Sequence, residues 1–510
     1  MAMSTGESGV TIGKQLTSDH PLNPARTSVG SPKNPRNWTH SRRIKNTFII
    51  SLTGFLATLA SSILVAAASI LRQEFGKSRE VVTLTTSIYV AGLGCGPFLF
   101  APISELYGRQ VAYSSSMILF TILNLVLCFA PSFSSILVLR LFSGIFGSSG
   151  PSLGVATLSD LFAPKGRGKP LSYYALGPMA GPTLGSVIGT YLVLVDWRWC
   201  FRLLAILVGI NTLAIIFLMD ETYAPVLRKV LEEEDGVAIS RSARLRQLFR
   251  PKPEAKAIMI RTFTRPPRML VNPACGLFVV YYAYVYSIIY VFLVSLPLLY
   301  ERHDPPDALF TYNWKPTITG LSYLGLGCGF FSSAFTAASL QDRIYVYCSR
   351  RYKNDGQPEY RLCITQVSDD LSIALAFRTD LDRSNSQVGM VIFPIGLLIW
   401  GWTAQAQTHW IGPIIGSFIL AYGLMLCFNS IQIWIVDAFS PYSAAAMAGA
   451  TIVRSVSGAI LPIFSDSLFI NLGYGWGGTL LALVSLPAVP APFVLFMYGQ
   501  RLRERYKFQP

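Results

Sequence analysis

Charge is what this sequence has least of. Asp, Glu, Lys and Arg make up 14% of its 510 residues, against about 25% in an ordinary soluble domain. A soluble chain of this length folds as several domains with charged surfaces, and too few charges are present to cover them. Apolar residues account for 52%, which suits a surface solvated by hydrocarbon. Histidine is nearly missing: the four residues are isolated and form no H-x-x-H or H-x-x-x-H pair. The eight cysteines (Cys95, Cys128, Cys200, Cys275, Cys328, Cys348, Cys363 and Cys427) include no C-x-x-C pair and read as buried free thiols. No metal site and no cofactor is implied. With no G-x-S-x-G elbow and no ligand cluster, a multispan membrane enzyme is not supported.

What the sequence does have is long apolar runs. Taking about 20 apolar residues as one crossing of the hydrocarbon gives twelve spans. They lie at 44–69, 81–101, 111–130, 134–157, 171–194, 200–219, 274–299, 316–339, 389–406, 411–436, 443–468 and 475–498. The expectation is an all-α membrane protein in two six-helix halves, 44–219 and 274–498. A polar tail, 1–43, precedes them, a basic linker, 220–273, joins them, and a tail, 499–510, follows. The linker carries Arg241, Arg244, Arg246, Arg250, Lys252 and Lys256 with Pro251, Pro253, Pro266 and Pro267. The first tail lacks the apolar core of a cleaved signal peptide, so span 1 reads as a signal anchor.

The net charge of +15 sits in short loops rather than on one stripe, which argues for topology and against nucleic acid. Arg42, Arg43 and Lys45 before span 1, Lys165, Arg167 and Lys169 after span 4, Arg350, Arg351 and Lys353 after span 8, and Arg501, Arg503 and Arg505 after span 12 fall on one side if the spans alternate. That side reads as cytoplasmic, with both termini inside.

The halves echo each other. Gly92-Leu93-Gly94-Cys95-Gly96 in span 2 recurs as Gly325-Leu326-Gly327-Cys328-Gly329 in span 8, each upstream of an acid and an arginine: Glu105 and Arg109, then Asp342 and Arg343. Internal repeats of this kind build transporters with alternating access about a central site.

Several residues stand out within this frame. Glu105 and Arg109 flank Gly108, which lets the chain turn tightly so that the pair acts as a latch or as an ordinary charged loop. Arg140 lies inside span 4, where a cation is costly unless it faces a cavity or a partner; a place on the substrate or proton pathway is preferred over snorkelling. Gly177, Gly181, Gly185 and Gly189 fall four apart in span 5 and form a groove that another helix can enter, while Pro178 and Pro182 bend it. Tyr282, Tyr286 and Tyr290 share a face of span 7. That face suits hydrophobic or cationic compounds, or serves helix packing. Asn429 and Gln432 in span 10 offer hydrogen bonds to a cavity or to a neighbouring helix. No carboxylate lies in the middle of a span, so Asp160 and Asp437, at span ends, are the candidates to carry a proton.

These motifs resemble the major facilitator superfamily, in its fungal twelve-span drug:proton antiporter group. Asn34-Pro35-Arg36-Asn37-Trp38 is similar to that group's segment before span 1. Pro102, Glu105, Tyr107, Gly108 and Arg109 match its loop after span 2, and Arg140, Gly144 and Gly147 its span 4 pattern. Gly177, Gly181, Pro182 and Gly185 match its antiporter signature, with Ser186 replacing the last glycine. The resemblance implies a major facilitator fold and export of small organic compounds by alternating access, driven by inward protons. Drugs, toxins or secondary metabolites are the implied substrates, with polyamines a narrower option. It also implies a latch of Glu105, Arg109 and Asp160 and residence in the plasma membrane, although a vacuolar membrane gives the same topology. A monomer suffices, because one chain holds both halves. Uptake of a nutrient by proton symport is the alternative, against which the span 5 glycines argue. One segment departs from the pattern: residues 363–388 read as a cytoplasmic insertion or as intron-derived sequence.

Overall fold

The computed structural model describes residues 34–163, 166–227, 255–301, 309–351, 358, 388–439 and 443–488. The insertion at 363–388 (except Val388), half of the linker and the end of span 12 lie outside them. The described chain is helical, with one isolated bridge between Glu301 and Trp314. Nine of its helices are long and apolar enough to cross a membrane. The difference from twelve has three sources. Span 5, Gly168–Val193, holds too many glycines to score as apolar. Span 9 is short, with an apolar part at Met390–Gln405. Spans 11 and 12 run on as Ser443–Ser485, interrupted only at Gly473, whose φ of 76° glycine alone adopts easily.

Each half is built the same way. Span 1 (His40–Ser62) packs on span 5, span 2 (Arg79–Tyr107) on span 4 (Phe133–Gly147 and Ser149–Leu161), and span 3 (Arg109–Leu127) on span 6 (Arg198–Leu218). In the second half, span 7 (Pro273–Tyr300) packs on span 11, span 8 (Leu324–Arg351) on span 10 (Ile411–Ala438), and span 9 on the 474–478 stretch that begins span 12. Spans 2 and 11, and spans 5 and 8, close the seam between the halves.

The repeated pentapeptides sit at equivalent places in this scheme. Gly92 and Gly96 lie against span 4, and Gly325 and Gly329 against span 10. Gly94 faces Ser455 of span 11, while Gly327 faces Thr183 of span 5. Cys95 and Cys328 therefore point outward and are exposed, so two of the thiols expected to be buried are not. Spans 3 and 6 carry the outer apolar surface, for example Ile122, Leu125, Ile210 and Phe217. Spans 1 and 7 are mostly buried.

The proline-rich end of the linker is not all irregular. Ala255–Val271 is a helix that contains Pro266 and Pro267. Its Met269 is buried, and Phe263 stacks on Phe98 of span 2 at 5.3 Å. The apolar side chains are spaced to meet the bundle, which stabilises the helix against its prolines.

Candidate functional site

Two ends of the bundle are distinguished by their loops: a basic end, with the 107–109, 162–168 and 218–223 connections, and an opposite end, with 75–79, 193–197 and 300–316. At the opposite end a cavity of about 780 Å³ opens between the halves. Span 1 and its continuation (Leu64 to Arg72), span 2 (Arg79 to Thr86) and Thr190 of span 5 line one wall; Val294, Pro297, Glu301 and Tyr323 line the other. Arg79 on this wall pairs with Asp466 of span 11 at 2.7 Å, joining the halves beside the cavity. Glu301 stands just beyond span 7, where burial pushes its carboxyl above the ordinary value and Arg79 draws it partly back.

Arg140 is fully buried but does not line that cavity. Span 1 is interrupted after Ser62 and resumes as a tighter turn at Val65, so carbonyls at the end of its first part lose their helical partners. Arg140 takes them: Nη1 donates to Ala60 O at 2.7 Å and Nη2 to Ser61 O at 3.0 Å, while Nε donates to Thr85 O at 3.1 Å. The ring of Tyr89 lies 4.4 Å away. This cation caps a broken helix and ties spans 1, 2 and 4 together.

The tyrosine face of span 7 is turned inward, with Tyr282, Tyr286 and Tyr290 all buried. A cation occupies it, and that cation belongs to the protein. The guanidinium of Arg454, in span 11, lies 4.6 Å from the ring of Tyr286 and 5.7 Å from those of Tyr282 and Phe428. Tyr282 and Phe428 stack at 4.4 Å. A hydrogen-bonded line leads from this cage toward the cavity. Tyr286 Oη meets Tyr290 Oη at 3.1 Å, and Tyr290 Oη meets Ser61 Oγ at 3.0 Å across the seam. Ser61 is held by Arg140, which also holds Thr85 on the cavity wall.

At the basic end the halves are clamped together. Arg167, before span 5, pairs with Asp437 of span 10 at 2.9 Å, with both side chains nearly buried. Asp342 of span 8 accepts from the backbone N–H groups of Gly168 and Lys169, where its charge favours the start of the span 5 helix. Asn429 donates to Ser172 at 2.7 Å and to Gln341 at 3.4 Å, and Ser172 donates to Gln341. Gln432, also buried, has an Oε1 without a hydrogen-bond partner among the described residues.

Beside this clamp, Arg109 donates from Nε to Asp160 at 3.3 Å and from Nη1 to Ser104 at 2.7 Å. Glu105 acts on Arg109 through its field. A carboxylate from outside the expected trio completes the corner: Glu221, after span 6, accepts from the backbone N–H groups of Arg109 and Gln110. Burial pushes the Glu221 carboxyl up, and the N–H groups of Tyr223, Arg109 and Gln110 draw it partly back. For its neighbour Asp220, burial alone would raise the carboxyl, but hydrogen bonds from Arg42, Asn46 and Lys45 prevail and hold it at about 2.

The span 5 groove is filled by span 1. A Cβ on Gly177 would stand 2.9 Å from Ser51 O and one on Gly185 2.5 Å from Leu59 O; Gly181 and Gly189 meet Thr58 and Ile63 more closely still. Ser62 Oγ donates to Pro182 O at 2.6 Å, a carbonyl beside the bend.

Reading the sequence did not single out Arg454, and it noted Arg167 and Glu221 without a place at the site. Arg454 showed the signal that marked Arg140, a lone cation in an apolar run. The other two lie in loops, where nothing in the chain says which acid or amide they will meet.

Comparison with known proteins is consistent across the chain. The model of the Major Facilitator Superfamily matches residues 50–349. The MFS transporter cpaT of Aspergillus oryzae is 34% identical over 96% of this chain and 92% of its own length. The efflux pump radE of Floropilus chiversii is 31% identical over 94% of this chain and 84% of its own. Among solved structures, the proton:xylose symporter XylE superposes with a TM-score of 0.64 over 90% of this chain and 96% of that one; at 13% identity the likeness is one of fold.

Proposed function

The chain belongs to the major facilitator superfamily, and from that premise we propose that it exports small organic compounds in exchange for protons. Its relatives are fungal transporters, one of them named an efflux pump. As a transporter of this superfamily it is a multi-pass membrane protein rather than an enzyme. The positive-inside rule places the basic end in the cytoplasm, and export fits the plasma membrane.

The observation that carries this reading is the asymmetry of the seam. One side is clamped by Arg167–Asp437 and the Ser172, Gln341 and Asn429 network, while the other holds the cavity. With the clamp cytoplasmic, this is the state from which an exporter releases its cargo. Span 5 rides on span 1 through its glycines, so the two can rock as one body while span 8 separates from span 5.

For coupling, Asp466 of span 11, buried and paired with the cavity-wall residue Arg79, is a carboxylate on the outer side of the seam. Its protonation would release Arg79 and loosen this tie between the halves. Asp160 and Asp437 lie on the clamped side and would be reached after rocking, where Arg109 and Arg167 compete with the proton. The antiporter-signature residues Gly177, Gly181, Pro182 and Gly185 serve this motion, and Glu105, Arg109 and Asp160 form its cytoplasmic latch.

Retention of labelled drugs, polyamines and fungal metabolites in yeast lacking its own exporters tests the reading. Lower retention that a protonophore restores is the expected result. Accumulation stimulated by external acid would replace export with uptake by symport.

A further inference from the structure

Buried cations elsewhere in this fold are answered by the protein. Arg109 meets Asp160, Arg167 meets Asp437, and Arg140 takes three carbonyls. Arg454 is only 2% exposed, yet its Nε and Nη1 have no hydrogen-bond partner among the described residues. The largest fields acting on it come from Tyr282, Tyr286, Tyr174 and Tyr290, none of them a carboxylate. Ring faces stabilise the charge of a guanidinium but accept none of its N–H donors in line. Nearby polar atoms are idle too: the hydroxyl of Ser455, and Oγ1 of Thr451 one turn earlier, have no partners among the described residues. Leaving a charge and its donors unanswered in a dry interior is costly unless something else arrives to answer them.

The place is right for an arriving ligand. Gly458, one turn beyond Arg454, lets the Tyr286 ring approach to 3.2 Å of its Cβ position, with Val90 of span 2 at 3.5 Å. Ser455 lies 2.9 Å from the Cβ position of Gly94, also on span 2. The cage therefore sits against the seam that parts during alternating access. Only the Ser61–Tyr290 hydrogen bond and its neighbours separate it from the residues around the cavity.

The geometry points to Arg454, with Tyr282, Tyr286 and Phe428, as the anchor for an anionic substrate: an organic acid with one delocalised negative charge, a carboxylate or ionised enol, beside a flat apolar ring. The open guanidinium N–H groups donate to the oxygens of such a group, the hydroxyls of Ser455 and Thr451 donate to it as well, and the aromatic walls take the ring. This rests on the transport reading above and narrows its substrate class.

Aromatic monocarboxylates from benzoate to 2-naphthoate and 9-anthroate, each with its amide and its methylammonium counterpart, supply the probes. Binding to the purified full-length chain in lipid nanodiscs is measured for all three charge types. At least one acid should bind tenfold or more tighter than its amide and its cation. Arg454→Met should abolish that preference and bring the three types level. Arg454→Lys, which keeps the charge but loses the fork, should retain part of it. Equal binding of acid and amide by the unaltered protein, a preference that survives Arg454→Met in monodisperse protein, or binding of none of the acids would each overturn the assignment. The two readings fail separately. Protonophore-sensitive export that is unchanged in Arg454→Met defeats the anchor alone, and anion-selective binding without proton-linked export defeats the export reading alone.

Discussion

Each half of this protein carries a buried arginine stacked on a tyrosine, and the two are treated in opposite ways. Arg140 lies 4.4 Å from Tyr89 and spends its donors on three backbone carbonyls. Arg454 lies 4.6 Å from Tyr286 and leaves donors open. Burial and an aromatic neighbour do not separate a structural cation from a functional one. What separates them is whether the fold already answers the charge.

Breaking the first arginine should have the largest effect on stability. Arg140→Met strands the carbonyls of Ala60, Ser61 and Thr85 in a dry interior, a loss of about 3–5 kcal/mol. It should appear as a collapse in the melting temperature of detergent-purified protein and in surface expression. Arg140→Lys should not rescue it, because one ammonium does not reproduce the fork.

The small residues at the two related interfaces sharpen the contrast. Gly181→Ala drives a methyl into Thr58 and Leu59 N and should cost about 1–3 kcal/mol of stability. Gly327→Ala meets nothing nearer than Thr183 at 3.8 Å and should stay within about 0.5 kcal/mol. Parallel melts of the two variants decide this.

For the second arginine the sign should reverse. Arg454→Met removes an unanswered charge and keeps the volume, so stability should hold or rise by about 1 kcal/mol. Equal destabilisation of the Arg140 and Arg454 variants would erase the distinction.

A small, pH-dependent effect is expected from charges near water. Asp220 is held at about 2 by Arg42, Asn46 and Lys45, against about 3.9 for a free aspartate. Its stabilisation is therefore present above about pH 4 and fades as pH falls toward 2. Arg42 and Lys45 are well exposed, so Asp220→Asn should cost under about 1 kcal/mol at neutral pH and flatten the melt-versus-pH curve only in that acid window.

Much of the fold was legible because apolar length is a one-dimensional property. Each of the twelve runs has a helix at its expected place among the described residues, and the repeated pentapeptide fell on equivalent faces of spans 2 and 8. The shared face of Tyr282, Tyr286 and Tyr290 was also legible, since helical spacing fixes it. What occupies that face was not, because Arg454 lies more than 150 residues away and the contact depends on how span 11 packs on span 7. For Arg109 the four-residue spacing pointed to Glu105, and only the family resemblance named Asp160, to which its Nε donates. Spacing reports neighbours along one helix, and these sites are made between helices.

The open guanidinium of Arg454 also makes the carrier an electrical object. Empty, the site holds one positive charge deep in a low-dielectric slab; with a monoanion bound it is neutral. Rocking shifts the transmembrane field from one side of the residue to the other without moving it far. Voltage then acts on the return of the substrate-free, proton-carrying state more than on the substrate-loaded step, with a limit of about 2.3 kcal/mol per 100 mV for a charge that crosses the whole field. A negative interior draws the empty positive site toward the cytoplasmic-facing state, where an exporter reloads.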